Sequence, residues 1–325
     1  MIARVDIAET TAELATAPAV VASALRRTFG GVTAVDGIDL SVADGSVFGL
    51  LGPDGAGKST LIRLLATVLR PDSGDATVFG ESVTGRPRAV TPRIGYMSQQ
   101  FSMYPDLTVA ENLEFFATIR GIAPALRRRR AESLLESMGL VEFAGRQAQH
   151  LSGGMKQKLM LAATLMHEPD LLLLDEPTTG VDPVSRREFW RIIAGLHRGG
   201  KTVLVATPYM DEAERCTDVA FMADGAIMHH GTPAQIKSLV PGALFEVGSA
   251  DPRQALAALA GSPGVASAHL LGELVRVLAA PDGPDLAEMT ARLRSAGIED
   301  ASVRPARVDM EAAFAFLAEQ GGESS

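Results

Sequence analysis

A glycine-rich stretch in the first fifth of the chain carries residue types that bind phosphate. Residues 52–60 read GPDGAGKST and fit the pattern G-x-x-x-x-G-K-[ST]. Glycines let a loop wrap so that its backbone N–H groups face phosphate oxygens, the lysine reaches the β- and γ-phosphates, and the serine hydroxyl binds Mg²⁺. The predicted contacts are Gly52, Pro53, Asp54, Gly55, Ala56, Gly57, Lys58, Ser59 and Thr60.

A second stretch supplies carboxylates of the kind that such a site needs. Residues 171–176 read LLLLDE, an apolar run that ends in two acidic side chains. A carboxylate at the end of a strand beside a phosphate loop holds Mg²⁺ through its water shell, and we assign this role to Asp175. Glu176 would orient or deprotonate an attacking water. The two stretches together predict a site that hydrolyses a nucleoside triphosphate.

The elements that position these stretches follow an alternating order. Residues 20–27, 46–51, 93–99, 171–175 and 201–207 are predicted strands, and 219–231 a hairpin that turns at Asp224-Gly225. Helices are predicted at 59–69, in two stretches between 107 and 140, after LSGG at 151–154, and after Pro183. This order predicts an α/β fold with a parallel sheet, a P-loop NTPase core, interrupted by a helical subdomain at about 100–152.

A second set of predicted strands and helices begins after Pro241-Gly242. Residues 243–325 give the order βαββαβ followed by a last helix, in which Met310, Phe314 and Leu317 form an apolar stripe. We therefore predict three regions: an N-terminal extension (1–17), a nucleotide-binding domain (18–242) and a small α+β, ferredoxin-like C-terminal domain (243–325).

Composition narrows the class of protein. The 325 residues are 46% hydrophobic and 21% charged, a globular balance with length for one large or two modest domains. The net charge of −9 argues against a nucleic-acid partner. We interpret the basic run Arg127–Arg130 as a solvated helix face, with nucleic-acid or lipid head-group binding as the alternative.

Three features of the sequence bear on the cellular compartment of the protein. The single cysteine, Cys216, excludes an internal disulfide and fits a reducing environment. No apolar run approaches the ~20 residues that span a bilayer. The N-terminus lacks the basic segment and apolar core of a signal peptide.

Two further motifs carry a family resemblance. LSGGMKQK (151–158) lies about twenty residues before LLLLDEPTTGVDP, and together with GPDGAGKST this order resembles the ATP-binding subunit of ABC transporters over roughly residues 20–240. The resemblance implies that Phe29 stacks on adenine and that Gln99 senses Mg²⁺ and a membrane partner. It also implies that Ser152, Gly153 and Gly154 cap ATP across a dimer and that Asp182 couples the two sites.

The site residues follow from the motifs and this resemblance together. We expect catalytic roles for Glu176, Lys58 and Gln99, with ATP as the substrate. Mg²⁺ is expected at Ser59, Gln99 and Asp175.

The resemblance extends to a subgroup that drives export of drugs, antibiotics or polysaccharides, through YMSQQFSMYPDLTVAENL, PYMDEAERC and the C-terminal tail. It implies a separate transmembrane permease, a homodimer or a heterodimer with a second ATP-binding subunit, and a place at the cytoplasmic face of the membrane. A non-transport ATP-dependent regulator and an importer ATPase remain as alternatives. The cargo is not encoded in this chain.

One position departs from the family pattern. In VLVATPYMDEAE (203–214), Pro208 stands where the family usually has a histidine that reaches the γ-phosphate. Proline has neither a polar side chain nor a backbone N–H. Two hypotheses follow: a homodimer that hydrolyses slowly, with Thr207 or Tyr209 as a partial substitute, or pairing with a different ATPase subunit.

Overall fold

The computed structural model describes residues 17–322, so the predicted extension at 1–17 lies outside the described residues except for Ala17. The chain divides into two compact units, the first ending at His230 and the second beginning at Gly231. Composition alone places this boundary about twelve residues later, near Pro241-Gly242. Among the described residues, no helix is both long and apolar enough to cross a membrane.

The first unit alternates strands and helices as predicted, with additional strands. In chain order its elements are β1 (Val20–Phe29), β2 (Val32–Val42), β3 (Val47–Leu51), α1 (Lys58–Leu65), β4 (Ser73–Val78), β5 (Glu81–Ser82), α2 (Pro87–Val90), β6 (Ile94–Met97), α3 (Val109–Ile119), α4 (Pro124–Met138), α5 (Gly153–Leu165), β7 (Leu171–Asp175), α6 (Pro183–Arg198), β8 (Thr202–Thr207), α7 (Met210–Ala213), β9 (Asp218–Ala223) and β10 (Ala226–Gly231).

A six-stranded sheet, in the order β10-β9-β3-β8-β7-β6, brings the motifs together. Strand β3 runs parallel to β8 and β9, and β7 runs parallel to β6 and β8. The register pairs Leu51 with Thr207 and Asp175 with Ala206. Because parallel strands end at the same edge, the phosphate loop after β3, the acidic pair at the end of β7 and the Pro208 segment after β8 are neighbours.

The predicted hairpin is confirmed. Strands β9 and β10 are neighbours in the sheet and are joined by two residues, Asp224 with φ 46° and Gly225 with φ 81°. Positive φ at both positions is the requirement of the tight turn that an Asp-Gly pair favours.

A four-stranded antiparallel sheet, in the order β2-β1-β4-β5, covers part of the first unit. Of its strands the sequence patterns predict only β1. The alternation in β2 is broken at Asp36-Gly37, and the pairing of β1 with β2 contains three register shifts. Irregular strands of this kind give no clean period of two, so the periodicity does not detect them.

The helices differ from prediction mainly in length. Helix α1 ends at Leu65 rather than at residue 69, and Thr67 has φ 61°. Its buried apolar side chains, Leu61 among them, belong to the core cluster that includes residues of β3, β7 and β8, and burial of each contributes about 2 kcal/mol to stability. Helices α3 and α4 contact each other and α5, and form the predicted helical interruption.

The second unit contains α8 (Pro233–Ser238), β11 (Ala243–Gly248), α9 (Pro252–Leu259), β12 (Val265–Leu271), β13 (Leu274–Ala279), α10 (Leu286–Ser295), β14 (Ser302–Ala306) and α11 (Met310–Gly322). Its sheet has the order β12-β13-β11-β14, and all pairs are antiparallel. Val247, Val275 and Val277 form its core with residues of α9 and α10. Of the apolar stripe on α11, Met310 and Leu317 are buried and Phe314 is half-buried.

Candidate nucleotide site

The loop between β3 and α1 depends on glycine at two positions. Gly52 has φ 151° and Gly57 has φ 102°. A Cβ at Gly52 would overlap the carbonyl oxygen of Met222, and a Cβ at Gly57 would overlap that of Ala34. Gly57 is also the N-cap of α1, so the loop passes directly into the positive end of a helix. This is the backbone cradle that the sequence pattern predicts.

Lys58 lies inside this loop, with 3% of its surface exposed. Its ammonium donates hydrogen bonds of 2.8 Å to the carbonyl oxygens of Gly52 and Pro53. Its Nζ is 4.0 Å from Glu176 Oε1. Burial lowers the Lys58 pKa from its ordinary value, and the negative charge of Glu176 opposes that change. The loop therefore holds a buried cation beside an acidic side chain.

Ser59 and Asp175 meet across the sheet edge. The Ser59 hydroxyl donates a 2.7 Å hydrogen bond to Asp175 Oδ1, although 116 positions separate the residues. Asp175 is wholly buried, and within the described part of the chain its Oδ2 has no partner. Burial raises the Asp175 pKa, against the lowering effect of the Ser59 hydrogen bond. An orphan carboxylate oxygen beside a hydroxyl is an oxygen donor set that fits Mg²⁺.

Glu176 is held by hydrogen bonds on both its backbone and its side chain. Its Oε2 accepts from the side-chain amide of Gln99 at 2.8 Å and from the Thr179 hydroxyl at 3.2 Å. Its backbone N–H donates to the carbonyl oxygen of Ala206 on β8 at 2.9 Å. Glu176 has φ 50°, an uncommon conformation for a non-glycine residue that these contacts maintain. The three predicted catalytic residues, Lys58, Gln99 and Glu176, thus lie together.

The remaining loop residues play different structural parts. Asp54 is exposed, and its charge favours the protonated form of Lys58. Ala56 is buried and its carbonyl oxygen accepts from Gly225 of the hairpin turn. Gly55 has φ 83° with open space around it, and Thr60 is half-buried on α1.

Phe29 lies apart from the loop, at the end of β1. Phe29 is 42% exposed, and the Arg27 guanidinium lies 4.7 Å from its ring centroid. An exposed aromatic ring of this kind can stack on a base.

The LSGG segment lies against the start of α6 instead of the phosphate loop. Ser152 caps α5 by accepting a hydrogen bond from the Met155 N–H at 3.3 Å, and a Cβ on Gly154 would lie 2.5 Å from that of Ser185. Gly153 lies near the carbonyl oxygen of Gly180. Asp182 caps α6 by accepting from the N–H groups of Val184 and Ser185, both at 3.0 Å. The structure therefore brings Ser152–Gly154 and the Asp182 loop together as one surface.

The Pro208 segment is anchored by a side chain that sequence reasoning missed. The Thr207 hydroxyl is fully buried and donates to Glu212 Oε2 at 2.6 Å. The ring of Tyr209 lies 4.1 Å from the Arg186 guanidinium. The predicted substitution of Thr207 for the missing histidine therefore conflicts with the structure, because the Thr207 hydroxyl is already bound to a buried carboxylate.

Comparison with known proteins identifies the family. Residues 35–179 match the family described as ABC transporter. The daunorubicin/doxorubicin resistance ATP-binding protein DrrA of Streptomyces peucetius is 45% identical over 221 residues, which cover 68% of this chain and 67% of DrrA. The daunorubicin resistance ATP-binding protein DrrA3 of Streptomyces coeruleorubidus is 38% identical over 307 residues, 92% of this chain and 95% of that protein. This chain is an ATP-binding member of the ABC transporter family.

Two further comparisons concern a longer relative and a solved structure. The probable multidrug ABC transporter ATP-binding protein YbhF of Escherichia coli is 48% identical over 212 residues, but the chain spans only 37% of its length. The structure of CbiO1 from Clostridium perfringens, part of the transporter complex CbiONQ, has 26% identity, a TM-score of 0.63, and covers 68% of this chain and 91% of CbiO1. The α/β core predicted for the first unit is thereby confirmed as an ABC ATPase cassette.

No sequence pattern identifies Glu212 as the anchor of the Pro208 segment. Glu212 belongs to the acidic helix start that the sequence analysis noted after Pro208, but no pattern distinguishes it from its exposed neighbour Asp211. Its hydroxyl partners, Thr178 and Thr207, lie in segments whose sequence patterns indicate other roles. Only the tertiary structure shows that these side chains meet.

Proposed function

We propose that this chain binds and hydrolyses ATP and so powers export through a separate transmembrane permease. The observation that carries the proposal is the buried pair Lys58 and Glu176, with the Gln99 amide bound to Glu176, beside the Ser59–Asp175 pair. A buried cation, an orphan carboxylate oxygen and a held glutamate in one place are the parts that phosphoryl transfer to water needs.

Each residue has a role in this proposal. Lys58 and the loop N–H groups bind the β- and γ-phosphates, and Phe29 stacks on adenine. Ser59, Asp175 and Gln99 hold Mg²⁺, which when bound neutralises developing charge on the phosphate oxygens. Glu176 orients the attacking water and takes its proton, and the hydrogen bonds from Gln99 and Thr179 fix its direction.

The second half of the site is proposed to come from another subunit. Ser152–Gly154 and Asp182 form one surface around the N-termini of α5 and α6, where backbone N–H groups can face an anion. A phosphate bound by one subunit and capped by the next makes ATP the link between them, so the γ-phosphate sets the balance of open and closed dimers. Either a second copy or a different ATP-binding subunit can supply that surface.

The functions named for the relatives favour export over the alternatives. DrrA and DrrA3 are described as drug-resistance ATP-binding proteins, and a further relative, from Ralstonia nicotianae, as a Nod factor export ATP-binding protein that is 40% identical over 213 residues. By analogy with these exporter-type relatives, we propose that the chain works at the cytoplasmic face of the membrane, bound to a separate permease. The non-transport regulator and the importer ATPase have no such support.

The second unit is proposed to be a ferredoxin-like accessory domain. The βαββαβ order, with the first strand between the third and the fourth, supports this assignment. We assign residues 18–242 to the nucleotide-binding domain with its helical subdomain at about 100–152, and 243–325 to the accessory domain. Limited proteolysis that releases a stable fragment beginning near residue 231 instead would move the boundary to the junction of the compact units.

The test is purification of the tagged full chain from detergent-solubilised membranes of its own cells. We expect a multi-span membrane protein to co-purify and the preparation to hydrolyse ATP. A second ATP-binding subunit in the eluate would support the heterodimer, and its absence the homodimer. Recovery of the chain only from the soluble fraction, without a membrane protein, would contradict the export function.

A further inference from the structure

Glu212, on the short helix α7, is a buried carboxylate whose two oxygens are both engaged. Its side chain has no exposed surface. Oε1 accepts a hydrogen bond from the Thr178 hydroxyl at 2.7 Å and lies 3.3 Å from Arg186 Nε, while Oε2 accepts from the Thr207 hydroxyl at 2.6 Å. Burying a carboxylate costs free energy because the charge loses its water, and hydrogen bonds and ion pairs must compensate for that loss. Removal of any one partner would leave part of the charge uncompensated.

The three partners come from three separate segments of the nucleotide site. Thr178 follows Glu176 by two residues. Thr207 is the last residue of β8 and directly precedes Pro208. Arg186 lies in the first turn of α6, four residues after the cap Asp182. One carboxylate therefore joins the segment after Glu176, the Pro208 segment and the start of α6, against which the LSGG segment lies.

Contacts around Arg186 and Thr207 extend this junction on both sides of Pro208. The Tyr209 N–H donates to the Thr207 hydroxyl oxygen at 3.1 Å, so that hydroxyl is both donor and acceptor. The Arg186 guanidinium lies over the Tyr209 ring and donates to both oxygens of Asp211, at 2.8 and 2.9 Å. Since Pro208 itself has no N–H, the hydrogen bond from Tyr209 to Thr207 and the packing of Arg186 on the Tyr209 ring fix the course of the backbone through it.

We propose that Glu212 is a positioning residue for ATP hydrolysis, which holds the Pro208 segment and the start of α6 in register with Glu176. The inference rests on the proposed ATPase function. Glu212 is fully buried, and it acts through Thr178 on the segment that carries Glu176. Movement of α6 or of the Pro208 segment is thereby transmitted to the catalytic glutamate.

The test compares isosteric changes with matched controls in the purified full chain. Glu212→Gln keeps the shape but loses the charge and one acceptor, and Thr178→Val keeps the shape but loses the hydroxyl. Asp211→Asn is the control for Glu212, because Asp211 binds the same Arg186 but has 68% of its side chain exposed. Thr178→Ser, which keeps the hydroxyl, is the control for Thr178→Val.

We expect Glu212→Gln and Thr178→Val each to lower kcat by roughly tenfold to a hundredfold, with KM for ATP changed by less than about threefold, since misplacement affects the chemical step. Asp211→Asn and Thr178→Ser should behave like the wild type. The double variant should be no worse than Glu212→Gln alone, because both changes break one connection. Equal kcat in Glu212→Gln and the wild type would overturn the inference, as would additive losses in the double variant.

A second readout separates failure of the inference from failure of the proposed function. Amide hydrogen exchange is followed over residues 52–60 and 205–213 with and without ATP. In the wild type ATP should slow exchange in both segments, and in Glu212→Gln only in 52–60. A wild type with neither ATP protection nor hydrolysis contradicts the proposed function. A Glu212→Gln variant protected in both segments contradicts the role of Glu212, whatever the rates are.

Discussion

The side-chain amide of Gln99 donates a 2.8 Å hydrogen bond to Glu176 Oε2 across 77 positions of sequence. The Thr179 hydroxyl reaches the same oxygen, and Lys58 Nζ lies 4.0 Å from the other. Glu176 is 7% exposed and has φ 50°, so its side chain and backbone are both constrained. The carboxylate is therefore oriented by the protein itself, before any nucleotide or metal contributes.

Replacement of this carboxylate by an amide should separate binding from hydrolysis. Glu176→Gln keeps an oxygen that can accept from Gln99 but removes the proton acceptor, so we expect kcat for ATP to fall by about 10²–10⁴. Binding of a fluorescent ATP analogue should change little, since Lys58 and the loop remain. Glu114→Gln, an exposed change on α3, is the control. A loss in kcat below tenfold would contradict the role of Glu176.

The three loop glycines should differ in their tolerance of alanine. A Cβ at Gly52 or Gly57 would overlap a backbone carbonyl oxygen, whereas a Cβ at Gly55 would meet nothing within 4 Å. Gly57→Ala should destabilise by more than about 3 kcal/mol or prevent folding, since a backbone clash cannot be relieved by a side-chain rotation. Gly55→Ala should cost only about 1–2 kcal/mol, the strain of a side chain at φ 83°. Urea denaturation measures the free energy of unfolding of both variants. Equal losses of stability would contradict the role of the backbone clash and leave the positive φ of both residues as the cause.

Local patterns predicted the parts of the site that lie on single stretches of chain. GPDGAGKST and LLLLDE fix a loop and a strand end, and the parallel sheet brings them to one edge, as the Ser59–Asp175 hydrogen bond confirms. The Asp224-Gly225 turn was also predictable, because a two-residue hairpin needs positive φ at both positions. In each case a local backbone or ligand geometry requires particular residue types at fixed spacing, so the sequence pattern alone identifies it.

What could not be predicted depends on contacts between distant segments. The antiparallel sheet was missed because β2 is interrupted at Asp36-Gly37 and has register shifts. Glu212 was missed because burial distinguishes it from Asp211, and burial is a property of the packed fold. The same limit applies to Thr207, whose hydroxyl faces Glu212 and not the open site.

The single cysteine should report the opening of the sheet that carries the site. Cys216 is 7% exposed, and burial, with a smaller contribution from the charge of Glu212, raises its pKa to about 12. Only the thiolate reacts, so at pH 8 a disulfide reagent should modify the native protein far more slowly than the urea-unfolded chain. Rapid, complete labelling of the native protein would contradict this burial.

Stability should also depend on this thiol above pH 9. The unfolded thiol ionises near its ordinary value of about 8.5, whereas the native thiol stays protonated until about pH 12. The stability that Cys216 contributes is therefore complete below pH 8.5 and decreases by about 1.4 kcal/mol per pH unit between about pH 9 and 12. Cys216→Ser, which does not titrate there, should show a shallower decrease in the free energy of unfolding from pH 8 to 10.5. Identical slopes would contradict the raised pKa.

Introducing an imidazole at position 208, directly after β8, should show by how much the proline lowers the rate of ATP hydrolysis. A preorganised donor to a transition-state oxygen is worth about 10²–10³ in rate, so we expect Pro208→His to raise kcat by at least about tenfold. Pro208→Ala separates the imidazole from the release of the proline ring and should leave kcat near the wild type. The gain should also depend on the anchor, because Thr207 and Tyr209 on either side are held through Glu212 and Arg186. Pro208→His combined with Glu212→Gln should therefore recover little. If Pro208→His leaves the rate unchanged, the proline does not limit turnover, and the partner subunit of a mixed dimer becomes the place to look for the faster site.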